Sequence, residues 1–352
     1  MTDWLTRCRH ALQQGGQVTH TWSAGDGRLM IVPFAGRVLG CTLPNVEGNL
    51  FYHDARMEDP AQAVKALPGP GGGDRLWIAP EVAYMWPDLA RARVDPFSCY
   101  VLPPQMDPAG YRTLDQREGH IALAATMRLT DHRLKKSVTL EVNRRVDVID
   151  RPENLPHELE VASFALSNSL SVIEGDDGAV AGAWDLLQLP VTGTLICPTL
   201  VPVGDPRSYY DPFDLRHVHH DETSVCFLVD AQRRIKMGLS AAQTTGRMAY
   251  HREVGRMHTL IVRIFHPQPG EPYVDLPRAS DQILGGDVLQ AYNDNGSTGP
   301  FGEMEYHDPA IVVGKTAPIR ANSSVTHVMA GPLRAIQQAF HQLLGIPLPV
   351  GA

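Results

Sequence analysis

The stretch VTLEVNRRVDV, residues 138–148, decides the fold. Val138, Leu140, Val142, Val146 and Val148 alternate with Thr139, Glu141, Asn143, Arg145 and Asp147. Successive side chains of an extended chain point to opposite faces, so this alternation describes a strand with one buried and one wet face. Shorter runs rich in apolar and β-branched residues recur at 28–32, 37–42, 121–129, 158–166, 224–229, 259–265 and 323–329. Between them, 31 glycines and 28 prolines are spread along the chain, and these residues end strands and open turns. The texture predicts an all-β-dominated fold of two large sheets. Helical spacing is confined to the ends, where Trp4, Leu5, Cys8 and Leu12 form one stripe and Leu333, Ile336, Phe340, Leu343 and Leu344 another. These predict accessory helices over 2–13 and 332–345. The run ALPGPGGG (66–73) has strand-like sequence on both sides without a composition shift, so it reads as a loop within one domain spanning 1–352.

Composition narrows the function classes. Of the 352 residues 43% are hydrophobic and 20% charged, enough apolar surface for a sizeable core. Lys and Arg number 31 against 39 Asp and Glu, a net charge of −8, which gives no general attraction to nucleic acid or to an anionic membrane surface. No run approaches the roughly 20 apolar residues needed to span a bilayer. The N-terminal MTDWLTRCRHALQQGG has no apolar core of a secretory signal, so a cytoplasmic location is expected. Five cysteines, odd in number and without a CxxC pair, read as reduced and mostly buried. The GPGGG run lacks the spacing of a dinucleotide or phosphate loop, and neither a GxSxG elbow nor an HExxH helix occurs. No cofactor and no metal is therefore expected, and the oligomeric state is not encoded in any pattern we recognise.

Four segments place polar groups beside strand-like residues: GGGDRLWIAPE (71–81), AWDLLQLP (183–190), DLRHVHHDE (214–222) and YNDNGSTGPFGEMEYHDPA (292–310). In the last, Glu303 and Glu305 share one strand face while Met304 and Tyr306 take the other. Neighbouring carboxylates repel, which raises the pKa of one and suits it to proton transfer; two solvated acids on a wet face are the plain alternative. Arg75, followed by Trp77, combines a hydroxyl donor with an aromatic surface and suits a sugar, or Arg75 pairs simply with Asp74 or Glu81. His217 and His219 would share one face of a strand and His220 the other, at a sheet end between the Asp211-Pro212 turn and the apolar run from Ser224. That cluster reads as an ordinary loop, a substrate contact or, more weakly, a metal site lacking an identifiable third ligand.

The ordered set GRVLG (36–40), NLF (49–51), GGDRLWIAPE (72–81), AWDLLQLP, YND (292–294) and FGEMEYHDPA (301–310) resembles the galactose mutarotase-like superfamily over residues 28–330, in its uncharacterised bacterial branches. The resemblance implies a β-supersandwich with a sugar-binding cleft. It implies that Glu305 is the general base with Glu303 beside it, and that Arg75 contacts the sugar. The segment similar to the family's acid-bearing strand is AWDLLQLP, which offers Trp184, Asp185 and Gln188 but no histidine. The expectation is an aldose 1-epimerase-like enzyme acting on a small-molecule carbohydrate, with Glu305 as base and His217 or His219 as acid. Arg75, Glu303, Trp77, Trp184 and His307 are expected to bind substrate. A non-catalytic carbohydrate-binding protein and a metal-dependent isomerase or lyase are the competing readings.

Overall fold

In the computed structural model, which describes residues 3–204, 206–210 and 212–349, two ten-stranded sheets are stacked face to face. The first follows the order 20–24, 27–32, 37–42, 74–79, 180–190, 301–307, 289–293, 235–239 and 207–208, with 311–312 also pairing to 180–190. The second follows 218–220, 224–229, 193–198, 247–254, 257–265, 319–331, 160–175, 136–148, 120–131 and 112–117. The described strand pairs are antiparallel, as turn-rich sequence with half-wet strands leads one to expect.

The expected alternation is present in the strand Lys136–Val148, where Val138, Leu140, Val142 and Val146 are buried. They pack into a core shared with Leu29, Ile31, Leu76, Leu166 and Leu187 from both sheets. The helix at the N-terminus runs Trp4–Gln14, capped by the Asp3 side chain, which accepts from the Thr6 backbone N–H at 2.7 Å; residue 2, where it was expected to begin, lies outside the described residues. It buries Trp4, Leu5, Cys8 and Leu12 against Met30, Val32 and Leu39. The second helix, Leu333–Leu344, ends at Gly345 in the left-handed conformation (φ 79°) and packs Ile336 and Phe340 on Leu260, Val262 and Met329.

The strands Asp74–Ala79 and Val180–Pro190 are buried on both faces almost throughout. The glycine run before the first is tied into the fold. Gly72 and Gly73 have φ of 109° and 70°, and a Cβ on either would lie 2.4–2.5 Å from the Tyr52 or Val38 carbonyl oxygen. Only glycine lets the chain pass so close to a neighbouring backbone.

Arg144 occupies the dry phase of the Lys136–Val148 alternation and is 1% exposed. Its guanidinium crosses the sandwich to Asp74 and to Asp185 (2.6 Å) on the first sheet, and also donates to Asn168 Oδ1 at 3.1 Å. Asp74 is further bound by Arg263, and Asp185 by the Asn168 amide. Two arginines from the second sheet thus meet two aspartates from the first with no exposure to water. Removing one partner from a buried ion network leaves charge without compensation. Arg144→Ala is therefore expected to lower stability by about 3–5 kcal/mol in urea unfolding. Arg145→Ala, next in sequence but outward-facing and half-exposed beside Asp147 at 2.7 Å, should cost less than about 1 kcal/mol. Equal costs would show that the network does not bear on stability.

Candidate functional site

On a strand the residue after an inward one points outward, so Arg75 follows Asp74 onto the opposite face of the first sheet. The same alternation puts Trp184 beside Asp185, and Glu303 and Glu305 beside Met304 and Tyr306. Register then gathers them: Glu303 lies opposite Gln188, Glu305 opposite Leu186 and Gln290, and Trp77 opposite Trp184. The outer face of these strands floors a cavity of about 360 Å³, within the roughly 300–1,000 Å³ range of small-molecule sites.

Its polar groups include Arg75, Glu81, Gln188, Lys236, Glu303 and Glu305, and its walls include Trp77, Phe97, Tyr100, Trp184, Tyr210 and Phe301. Arg75 Nη2 donates to Glu303 Oε1 at 2.8 Å, and Gln188 Nε2 donates to the same oxygen at 2.9 Å. The guanidinium sits 4.3 Å from the Trp77 ring centroid. Trp184 Nε1 donates to Glu305 Oε2 at 2.9 Å, and Lys236 Nζ lies 3.0 Å from that oxygen and 4.4 Å from the Trp184 ring centroid. Arg75 pairs, then, with neither Asp74, which is taken by the inter-sheet network, nor Glu81, which lies 3.9 Å from Lys236.

Burial pushes the Glu305 carboxyl up to about 8, with Glu303 and Glu81 adding to the rise and Lys236 opposing it. Burial likewise raises Glu81 to about 7 against the pull of Lys236. For Lys236, burial disfavours the ammonium, but Glu305 and Glu81 outweigh it and hold its pKa above the usual lysine value.

The remaining expected residues lie elsewhere. His217 sits in the turn before a short edge strand, Val218–His220, of the second sheet. It does not share a strand face with His219. Its Nδ1 is 2.7 Å from Asp214 Oδ1 and its Nε2 is 3.3 Å from Asp230 Oδ2, so both ring nitrogens are beside carboxylates. His219 is exposed on that edge strand, and neither it nor His217 lines the cavity. The expectation that this segment turns an imidazole into the cleft is corrected: it belongs to the rim of the other sheet. Asp211, of the turn expected before this segment, lies outside the described residues. His307 is buried and stacks on Trp184 (centroids 5.2 Å apart, planes 19°) without lining the cavity, and burial lowers its pKa to about 3. Asp185, which the acid-bearing segment offers in place of a histidine, is enclosed between the sheets and bound by Arg144. Among the described residues no cluster of three or more His, Cys, Asp or Glu is arranged to hold a metal ion, and no helix is long and apolar enough to cross a membrane.

Sequence reasoning passed over Lys236 and gave Glu81 no place in the site. Lys236 stands in a short apolar run, RIKMGL, and reaches the cavity only because the strand Ile235–Leu239 pairs with Leu289–Asn293. Nothing local marks it.

A model of a family of unknown function, DUF6786, matches residues 9–177 and 185–350. The chain belongs to that family. A search of curated proteins finds no matching sequence. Solved structures give distant likenesses to this DUF6786 chain. One is a putative aldose 1-epimerase from Escherichia coli K12, with 10% identity, TM-score 0.49 and coverage of 90% of this chain and 100% of that one. Another is a galactose mutarotase-like protein from Lactobacillus casei ATCC 334, with 8% identity, TM-score 0.47 and coverage of 88% and 100%. A third is galactose 1-epimerase from Lactobacillus acidophilus NCFM, with 9% identity, TM-score 0.44 and coverage of 90% and 95%. Identities this low and TM-scores below 0.5 leave the chemistry to be read from the cavity's own side chains.

The buried carboxyls have a consequence for pH. Glu305 at about 8, Asp308 at about 8 and Glu81 at about 7 bind protons in the folded state that the unfolded chain has released by about pH 5. They make stability fall as pH rises through their folded values. His307 at about 3 and His327 at about 4 act in the opposite sense, but only below the ordinary histidine value of 6.5. Between about pH 6.5 and 8.5 stability is therefore expected to decrease, and to decrease less steeply in Glu305→Gln. Urea unfolding at several pH values checks this; equal slopes in the two proteins would contradict it.

Proposed function

We propose that the cavity binds a small sugar or sugar derivative and that the protein interconverts its anomers or epimers, Glu305 serving as base and Arg75 as clamp. The observation that carries this reading is a mixed set of buried polar atoms facing aromatic walls. Arg75 Nε and Nη1, Gln188 Oε1 and Glu305 Oε1 have no protein hydrogen-bond partner among the described residues. Leaving such groups unmade costs about 1–3 kcal/mol each. Hydroxyl groups both donate and accept, so a polyol answers all of them, whereas a carboxylate or phosphate would answer Arg75 and be repelled by Glu303 and Glu305. The apolar C–H faces of a sugar ring suit walls of Trp, Tyr and Phe.

Proton transfer is the chemistry this site is poised for. Glu305 is held by the indole N–H and the ammonium at one oxygen, leaving the other for a substrate hydroxyl, and a base works best with a pKa near the working pH. A non-catalytic sugar-binding protein remains the competing reading because no described histidine lines the cavity.

Exchange NMR of anomeric signals across D-glucose, D-galactose, D-mannose, D-xylose, L-arabinose and D-glucuronate tests the proposal. Wild-type protein should accelerate exchange of at least one, and Glu305→Gln should slow it about 100- to 10,000-fold. Unchanged exchange in Glu305→Gln would remove Glu305 from the mechanism. Saturation-transfer contact with a sugar that the wild-type protein does not interconvert would favour binding alone.

A further inference from the structure

We infer that Glu81 is the proton donor that works opposite Glu305, and that Lys236 is the positioning residue that holds the two carboxyls around one substrate. This rests on the reading of the cavity as a sugar isomerase site and supplies the acid that reading lacks.

Three side chains from three separated elements converge here. Glu81 opens the short helix Glu81–Tyr84 that follows the strand Asp74–Ala79, and its backbone N–H donates to Asp275 Oδ1 at 2.8 Å. Asp275 is itself fixed by Gln290 Nε2 at 2.9 Å. Glu305 comes from the strand Phe301–His307. Lys236 comes from the strand Ile235–Leu239, which lies beyond Leu289–Asn293, and spans the floor with Nζ 3.0 Å from Glu305 Oε2 and 3.9 Å from Glu81 Oε2. All three line the cavity. The groups acting on Glu81 are Lys236, Asp275, Glu303, Tyr100 and Tyr210, and those acting on Glu305 are Lys236, Glu303, Glu81, Tyr210 and the Trp184 indole N–H.

Charge balance sets the protonation. Arg75 is committed to Glu303, which leaves one ammonium for two buried carboxyls. Two ionised carboxylates against one cation in a dry site are costly, so one of the pair keeps a proton. Burial raises both groups, Glu305 the more, and does not select between them; the donors do. Glu305 Oε2 takes both the Lys236 ammonium at 3.0 Å and the Trp184 indole N–H at 2.9 Å, which favour its carboxylate, whereas Glu81 lies 3.9 Å from the ammonium, so in the working form the proton is on Glu81. A carboxylic acid and a carboxylate on one substrate form a complete acid–base pair. Glu305 takes the anomeric O–H proton, the C1–O1 bond becomes a carbonyl, the bond from C1 to the ring oxygen breaks, and that oxygen takes the proton of Glu81. Closure on the other carbonyl face reverses each transfer, so nothing is consumed.

The test uses the full chain. With a sugar that the wild-type protein interconverts, Glu81→Gln should lower kcat at least about 100-fold while KM changes by less than about threefold. The alkaline fall of the rate, which reports loss of the donor proton, should disappear. Removing a cation raises a neighbouring carboxyl's pKa, so Lys236→Met should move that alkaline fall to higher pH, a shift that a purely structural lysine would not give. Without any sugar, carboxyl-¹³C NMR of glutamate-labelled wild-type protein should show two glutamates titrating well above the rest. One of these should vanish in Glu81→Gln. If Glu81→Gln keeps wild-type kcat and pH profile while Glu305→Gln is inactive, the donor assignment is overturned and the sugar-isomerase reading stands. If all glutamates titrate in the ordinary range, the assignment is overturned even should Glu81→Gln fail to fold. If the wild-type protein interconverts none of the sugars, the isomerase reading fails and takes the donor role with it.

Discussion

The ion network between the sheets, Asp74 and Asp185 against Arg144 and Arg263, is the constraint from which the site follows. Charges with no access to water tolerate only an arrangement in which every one is matched, because desolvation costs several kcal/mol per ion. A strand alternates faces with a period of two, so fixing one residue between the sheets fixes its neighbour on the far side. A slip of one residue in Asp74–Ala79 would set Arg75 against Arg144 and Arg263 and put Asp74 in the cavity. The network thus makes the positions of Arg75 and Trp184 a matter of electrostatics as well as apolar packing.

The opposite face of the same strands follows a different rule. Between the sheets each carboxylate is matched to an arginine; in the cavity, two cations face three carboxyls. The excess negative charge is relieved by protons rather than by further arginines: burial first, and then repulsion among the carboxyls, raises Glu81 and Glu305 above the ordinary glutamate range. The aromatic walls sustain this by keeping water scarce and the dielectric low. Stability and proton-transfer capacity therefore oppose one another in this cavity, as expected where ionisable groups are held ready for a ligand.

Much of the fold was legible in the sequence. Strands such as 224–229 and 37–42 carry their boundaries in their composition. The strands Asp74–Ala79 and Val180–Pro190 do not alternate, because both faces are buried, and only their polar residues drew notice. Arg144 was the missed signal: a lone arginine in the dry phase of an apolar stripe requires acids on the facing sheet. Glu303, Glu305, Arg75, Trp77 and Trp184 meet in one cavity, but Glu81 and Lys236 could not be found locally, since their meeting depends on sheet order. His217 and His219 misled for the same reason, an HxH spacing being indifferent to which sheet its strand joins.

The central claim is that the unpartnered atoms of Arg75 and Glu305 are complementary to one polyhydroxylated ring. A crystal structure of the protein soaked in a sugar that binds in solution tests it most directly. The account predicts a ring between the aromatic walls, with sugar oxygens within hydrogen-bond distance of Arg75 Nη1 and Glu305 Oε1 and with Glu81 facing the ring oxygen. A sugar bound away from Arg75 and Glu305, with the cavity holding only water, would contradict it.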